Sequence, residues 1–223
     1  MRHITLATAS DLDQWANSRA SQDQFPKLIR RLIAATANGL KLIHFPAGEG
    51  VQQGGWDGIV EAEGNDTFVP TGFSGWELSC NSGSKGKAQA DYEKRNEDPL
   101  GLEPNHTIFI YATPRRWSGG QKWCSDKQTE GTWRGVRAYD ADMLETWLES
   151  APAVHLWLSR LLGKSIPGMA MTPDQRRGTR TPSVVIPNRP GFQFTLSHYT
   201  LTPPPEVPVH VRQDKTTSQT VAA

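Results

Sequence analysis

Asp57 and Glu77 are the residues whose types and spacing could do chemistry. Asp57 sits in Gly54-Gly55-Trp56-Asp57-Gly58, and Glu77 follows twenty residues later in Ser74-Gly75-Trp76-Glu77-Leu78-Ser79-Cys80. Both segments read as strands, with a hairpin-like turn at Gly64-Asn65-Asp66 between them. Neighbouring strands lie about 4.8 Å apart, so adjacent strands can bring two carboxylates together. Two carboxylates at one point repel unless a cation lies between them. Mg²⁺ (or Mn²⁺) takes a few carboxylate oxygens and keeps several waters. An ion held in this way polarises a phosphate and helps to generate hydroxide for in-line attack.

Glu49 is a further candidate acid, because the short Pro46–Gly54 loop could carry it to the same strand ends. A lysine near the ion would stabilise developing negative charge or orient the attacking water. Lys85 and Lys87 follow the Glu77 strand where the chain enters a helix. Lys87 is the better placed to point back at the carboxylates. Each residue also has a plainer reading. Asp favours turns, and Gly-Trp-Asp-Gly is turn-like. A lone strand carboxylate is often solvated. Lys87 with Asp91, and Gln89 with Glu93, stand at the i,i+4 spacing of surface pairs.

A second constellation follows the apolar strand at Thr107–Ala112. Arg115, Arg116, Trp117, Lys122, Trp123, Lys127, Trp133 and Arg134 interleave cations with aromatic rings. That composition suits nucleic acid, with cations on phosphates and rings on bases or sugars. Its rival is a long loop whose tryptophans pin it to the core. Tyr92, Lys94 and Arg95 could contact a phosphate backbone from the helix after Glu77. His44, His106 and His155 are isolated. Cys80 and Cys124 form no CxxC or Cys/His cluster, which argues against structural zinc.

The surrounding elements must position these groups. Ser10 or Asp11 starts a first helix. Phe25, Leu28, Ile29, Leu32 and Ile33 form the apolar stripe of a second, stopped at Asn38-Gly39. Leu40–Phe45, Trp56–Ala62 and Ser74–Cys80 read as strands, and Lys87–Arg95 as a charged helix. Thr107–Ala112 reads as the central strand and Val136–Tyr139 as the last. Pro114–Thr132 reads as an irregular loop. Asp140 caps a helix through Glu149, and Pro152 begins a last one. The pattern predicts a mixed α/β layered domain with one central sheet and helices on its faces.

The chain has 223 residues and a net charge of +1. All eight tryptophans precede residue 160, and nine of the sixteen prolines fall in the last sixty residues. The composition therefore predicts a folded domain over 1–163 and a Pro/Arg/Thr-rich, poorly ordered tail over 164–223. The tail carries seven basic and three acidic groups, which leaves the first 163 residues at −3. That balance lacks the global basic footprint of a nucleic-acid binder, so any DNA contact must rest on a local patch. No leader-like stretch opens the chain, and no apolar run approaches roughly eighteen residues, so a cytoplasmic protein without a membrane span is expected.

Asp57, then Glu77-Leu78-Ser79, followed by a lysine-bearing helix resembles the PD-(D/E)xK restriction-endonuclease-like superfamily. The segments Phe45–Glu49, Gly55–Gly58, Trp76–Ser79, Lys87–Arg95 and Thr113–Trp117 resemble nuclease-like N-terminal domains of large bacterial proteins associated with phage defence. The resemblance spans roughly residues 10–163. It implies a restriction-endonuclease-like core and a Mg²⁺-dependent DNA endonuclease, with a homodimer and further protein modules as possible partners. Asp57 and Glu77 would then hold the metal and Lys87 would assist. The superfamily's lysine two residues after the glutamate is here Ser79, so the helix must supply it. Without a lysine in reach, the domain would bind nucleic acid without cutting it. A protein-interaction scaffold built on Asp140–Gly163 is a further alternative.

Overall fold

The computed structural model describes residues 6–46, 55–64 and 67–164. They form a mixed α/β fold around one five-stranded mixed sheet. Helices α1 (Ala9–Trp15) and α2 (Arg19–Thr36) come first, then strands β1 (Leu42–His44), β2 (Gly58–Ala62) and β3 (Gly72–Leu78). Helix α3 (Ser84–Glu97), strand β4 (Thr107–Ala112), helix α4 (Gly120–Glu130) and strand β5 (Gly135–Tyr139) follow. Helices α5 (Ala141–Ser150) and α6 (Pro152–Leu161) close the order. The strands lie in chain order across the sheet. β1, β2 and β3 pair antiparallel, while β3–β4 and β4–β5 pair parallel through their crossover helices.

The alternation of the strands divides the core in two. Trp76, Ile108, Ile110 and Ala112 face one side, packed with the stripe Phe25, Leu28, Ile29, Leu32 and Ile33 of α2 and with Leu144, Trp147 and Leu158 from α5 and α6. Phe109, Tyr111, Val136 and Ala138 face the other, under Ala88 and Tyr92 of α3 and Trp123 and Cys124 of α4. β4 is buried at every position, as the most apolar strand of the sequence should be.

The helix caps follow local chemistry. Thr8 and Asp11 form a reciprocal capping box on α1. Asp140 accepts the Met143 N–H at 3.1 Å and caps α5 as expected. The segment expected to be irregular, Pro114–Thr132, instead contains α4. Gly119 gives α4 no side-chain cap and its apolar stripe is short, so the sequence signal is weak. Tertiary packing makes the helix: Trp123 and Cys124 are buried on the sheet, and Gly131 ends it in the left-handed conformation. α4 also shields the sheet's edge, where Gln128 Oε1 accepts the Val136 N–H at 3.0 Å.

Other boundaries shift slightly. β1 covers only Leu42–His44, β2 starts after Asp57, and α3 starts three residues before Lys87. Asn65 and Asp66 of the expected turn lie outside the described residues, as does the tail beyond Lys164. Lys164 itself is held, its Nζ donating to Asp11 Oδ1 at 2.6 Å. No described helix is long and apolar enough to cross a membrane.

Gly75 is fixed by close approach to a core ring. A Cβ on Gly75 would meet the Trp56 ring at 2.7 Å. Gly75→Ala is expected to lower stability by about 1–3 kcal/mol through overpacking. Gly86, inside α3 with open space around it, makes the control. Gly86→Ala should raise stability by about 0.5–1 kcal/mol. Urea unfolding of both variants checks the pair.

Candidate active site

The β2–β3 ladder ends at Gly58 opposite Trp76, and one further step would set Asp57 opposite Glu77. The strand does not take that step. The Asp57 carboxylate takes it instead, Oδ2 accepting the Leu78 N–H at 2.7 Å. Asp57 is thereby held at the C-terminal end of β3, where open α/β sheets commonly place their sites. Glu77 stands opposite Tyr111 of β4 and faces α3. It is buried, at 5% exposure.

α3 lays an unusual face on the sheet. Its buried residues Ser84, Ala88, Asp91, Tyr92 and Arg95 follow helical spacing, so two charged residues share the face with the apolar ones. The Arg95 Nε donates to Glu77 Oε1, and another of its nitrogens donates to the Gly55 carbonyl. The guanidinium lies 4.9 Å from the centroid of the Trp56 ring. Trp56 is fixed in turn by its indole N–H to the Pro99 carbonyl at 3.0 Å. Lys87, half-buried, donates its Nζ to Asp91 Oδ1. The other oxygen of Asp91, Oδ2, is buried and has no hydrogen-bond partner. An unmet buried acceptor of this kind costs about 1–3 kcal/mol.

The electrostatics bind these groups into one unit. Burial is the main force raising the Glu77 pKa, and the Asp57 charge adds to it; Arg95 opposes both, and the value settles at about 7. Asp57 is also raised, first by burial and then by the charge of Asp91. The Leu78 N–H and the Lys87 ammonium pull it back. The two carboxyls are therefore electrostatic neighbours, each raising the cost of charging the site, with Glu77 the one pushed to about 7.

Among known protein families, curated proteins and solved structures, none matches this chain.

The structure thus brings Asp57, Glu77 and Lys87 together and adds two residues in new roles, Asp91 and Arg95. Arg95, expected to face a phosphate backbone, is 2% exposed and serves Glu77 instead. A helical wheel over Ala88, Asp91, Tyr92 and Arg95 carried the signal for both. Lys85 and Lys94 are exposed on α3. Glu49 lies outside the described residues.

The Arg/Trp segment is divided. Arg115 is a clamp: its Nε donates to the Cys80 carbonyl at 2.9 Å, and another nitrogen reaches Asn17 Oδ1 at 2.8 Å. Arg116 is exposed and pairs with Asp142 at 3.3 Å. Lys122 is exposed beside Asp126. Trp123 and Trp133 are buried in the core, and Trp117 packs against Tyr111 and Trp123. The rings pin this segment.

A divalent cation fits the chemistry of this donor set. The half-buried Asp57 carboxyl and the buried Glu77 carboxyl repel one another, and Asp91 lends further negative charge. Among the described residues no three His, Cys, Asp or Glu gather as a ligand cluster. An ion would thus rest on two carboxylates and complete its shell with water, as Mg²⁺ does.

Two outcomes follow. Between the ordinary Glu value and about 7, the folded chain keeps a proton on Glu77 that the unfolded chain has released. This group's contribution to stability therefore falls as pH rises through that window. Thermal unfolding from pH 4.5 to 8 should show a steeper decline in the wild type than in Glu77→Gln. Arg95→Met removes one partner of a buried pair. It should cost about 3–5 kcal/mol by urea unfolding, and much less in a Glu77→Gln background.

Proposed function

We propose that this site belongs to a Mg²⁺- or Mn²⁺-dependent endonuclease that hydrolyses phosphodiester bonds in DNA. One observation carries the reading: half-buried Asp57, held by the Leu78 N–H, stands at the end of β3 beside buried Glu77, where Arg95 and Lys87 leave the negative charge incompletely offset. That arrangement destabilises the fold unless a cation is its purpose. Asp57 and Glu77 would hold the ion, which when bound polarises the phosphate and lowers the pKa of water.

The chain's own residues set the stage. Arg95 fixes the orientation of Glu77, and the Leu78 N–H fixes Asp57. Lys87 brings an ammonium beside Asp57, where negative charge would develop on the phosphate. The exposed cations Lys85 and Lys94 on α3, with Arg116, supply a local surface for the DNA backbone. A place in bacterial defence and as one module of a larger assembly rests on the resemblance in the Phe45–Trp117 segments, and a cytoplasmic location on two cysteines that make no disulfide framework.

A second reading is binding of nucleic acid without cutting. Two observations favour it. Glu77 already has a cation in Arg95, and position 79 offers a serine. The scaffold reading has less behind it. Leu144, Trp147, Leu148 and Leu158 of α5 and α6 are buried, and Leu161 is the one large apolar residue exposed there among the described residues.

A cleavage assay on single- and double-stranded DNA and on RNA, with Mg²⁺ or with chelator, separates these readings. Metal-dependent cleavage of DNA is expected in the wild type. Asp57→Asn, Glu77→Gln and Lys87→Ala should each lose on the order of a hundredfold or more in rate. Cleavage that survives chelation, or equal rates in all four proteins, overturns the proposal. DNA binding with no cleavage supports the second reading.

A further inference from the structure

We infer that Asp91 is a positioning residue for Lys87, holding its ammonium at the site of Asp57 and Glu77. The inference takes the reaction from the nuclease reading and adds a residue to its machinery.

Position 79 is committed elsewhere, since the Ser79 hydroxyl accepts the Asn81 N–H at 3.1 Å. A lysine two residues after Glu77 would leave the strand on the same face as the glutamate, with little choice of direction. A lysine on α3 has no such constraint. Its four-carbon stem is flexible, and its ammonium is a point charge that stays in water unless something fixes it. Asp91 stands one helical turn on and does fix it.

The same chain holds an ordinary i,i+4 pair for comparison. The Lys122 and Asp126 side chains are 83% and 60% exposed. Those of Lys87 and Asp91 are 39% and 7% exposed. Asp91 lies on the sheet-facing side of α3 with Ala88, Tyr92 and Arg95. Its charge reaches both Asp57 and Glu77, and its Oδ2 is buried without a partner. Packing alone would be better served here by a neutral side chain. What the carboxylate supplies that a neutral group does not is a fixed negative charge. That charge draws the Lys87 ammonium off the helix surface and toward Asp57.

The test combines a double-mutant cycle with a direct view of the lysine. Asp91→Asn, Lys87→Ala and the double variant are assayed on duplex DNA with Mg²⁺, with thermal unfolding as the check on folding. Asp91→Asn should fold with a Tm no lower than the wild type. Its kcat should fall about tenfold or more with KM within about twofold. It should cost nothing further once Lys87 is alanine. In ¹⁵N relaxation of the lysine ammonium groups, Lys87 should be ordered in the wild type, and Asp91→Asn should make it as mobile as Lys122. Additive losses in the cycle, or a wild-type Lys87 already as mobile as Lys122, overturn the inference. Absence of metal-dependent cleavage defeats the nuclease reading, and the relaxation measurement then decides the positioning role. An ordered Lys87 that Asp91→Asn releases upholds it, and a mobile one overturns it.

Discussion

The buried pair between Arg95 and Glu77 is the interaction on which the other features of this face depend. It joins the last turn of α3 to the end of β3. Through the Gly55 carbonyl it also holds the chain just before Asp57. Trp56 is caught between the guanidinium and Gly75, and it packs against Phe109 and Trp133. The second half of the core is thus organised around a charge. A buried pair of this kind is seldom the cheapest way to fill space, since an apolar replacement is often as stable. Its value lies in orientation: it gives Glu77 one direction and α3 one register.

The pair leaves charge over. Arg95 answers Glu77 and Lys87 answers Asp91, which leaves Asp57 beside two other acids in a half-buried setting. Below about pH 7, a proton on Glu77 relieves part of the excess. On the nuclease reading, a divalent cation would relieve the rest and displace that proton. The excess that costs stability in the free protein would then be free energy available for holding the metal. The proposed reaction, the raised acids and the position of Lys87 are consequences of one electrostatic imbalance.

Much of this was legible in the sequence. Asp57 and Glu77 could be paired because strands twenty residues apart with a turn between them are adjacent by default. The α2 stripe and the apolar run at Thr107–Ala112 gave away the core by period alone. Two things were obscured. α4 has a weak apolar stripe and no capping side chain, so only its packing on β4 and β5 reveals it. Arg95 and Asp91 read as solvated because charged residues on a helix usually are. Their positions relative to Ala88 and Tyr92 pointed inward, but residue type outweighed spacing in that reading. The Arg/Trp segment left two readings open, a stacking surface or a set of pins, and its rings are the pins that hold α4 and its flanks.

The central claim is that the Asp57–Glu77 site exchanges the proton on Glu77 for a metal ion. Calorimetric titration of Mg²⁺ or Mn²⁺ in buffers of different ionisation enthalpy counts the protons released on binding. The account predicts up to about one proton released near pH 6.5, falling toward zero by pH 9, and none in Glu77→Gln. Metal binding with no proton release at any pH, or unchanged release in Glu77→Gln, would contradict it.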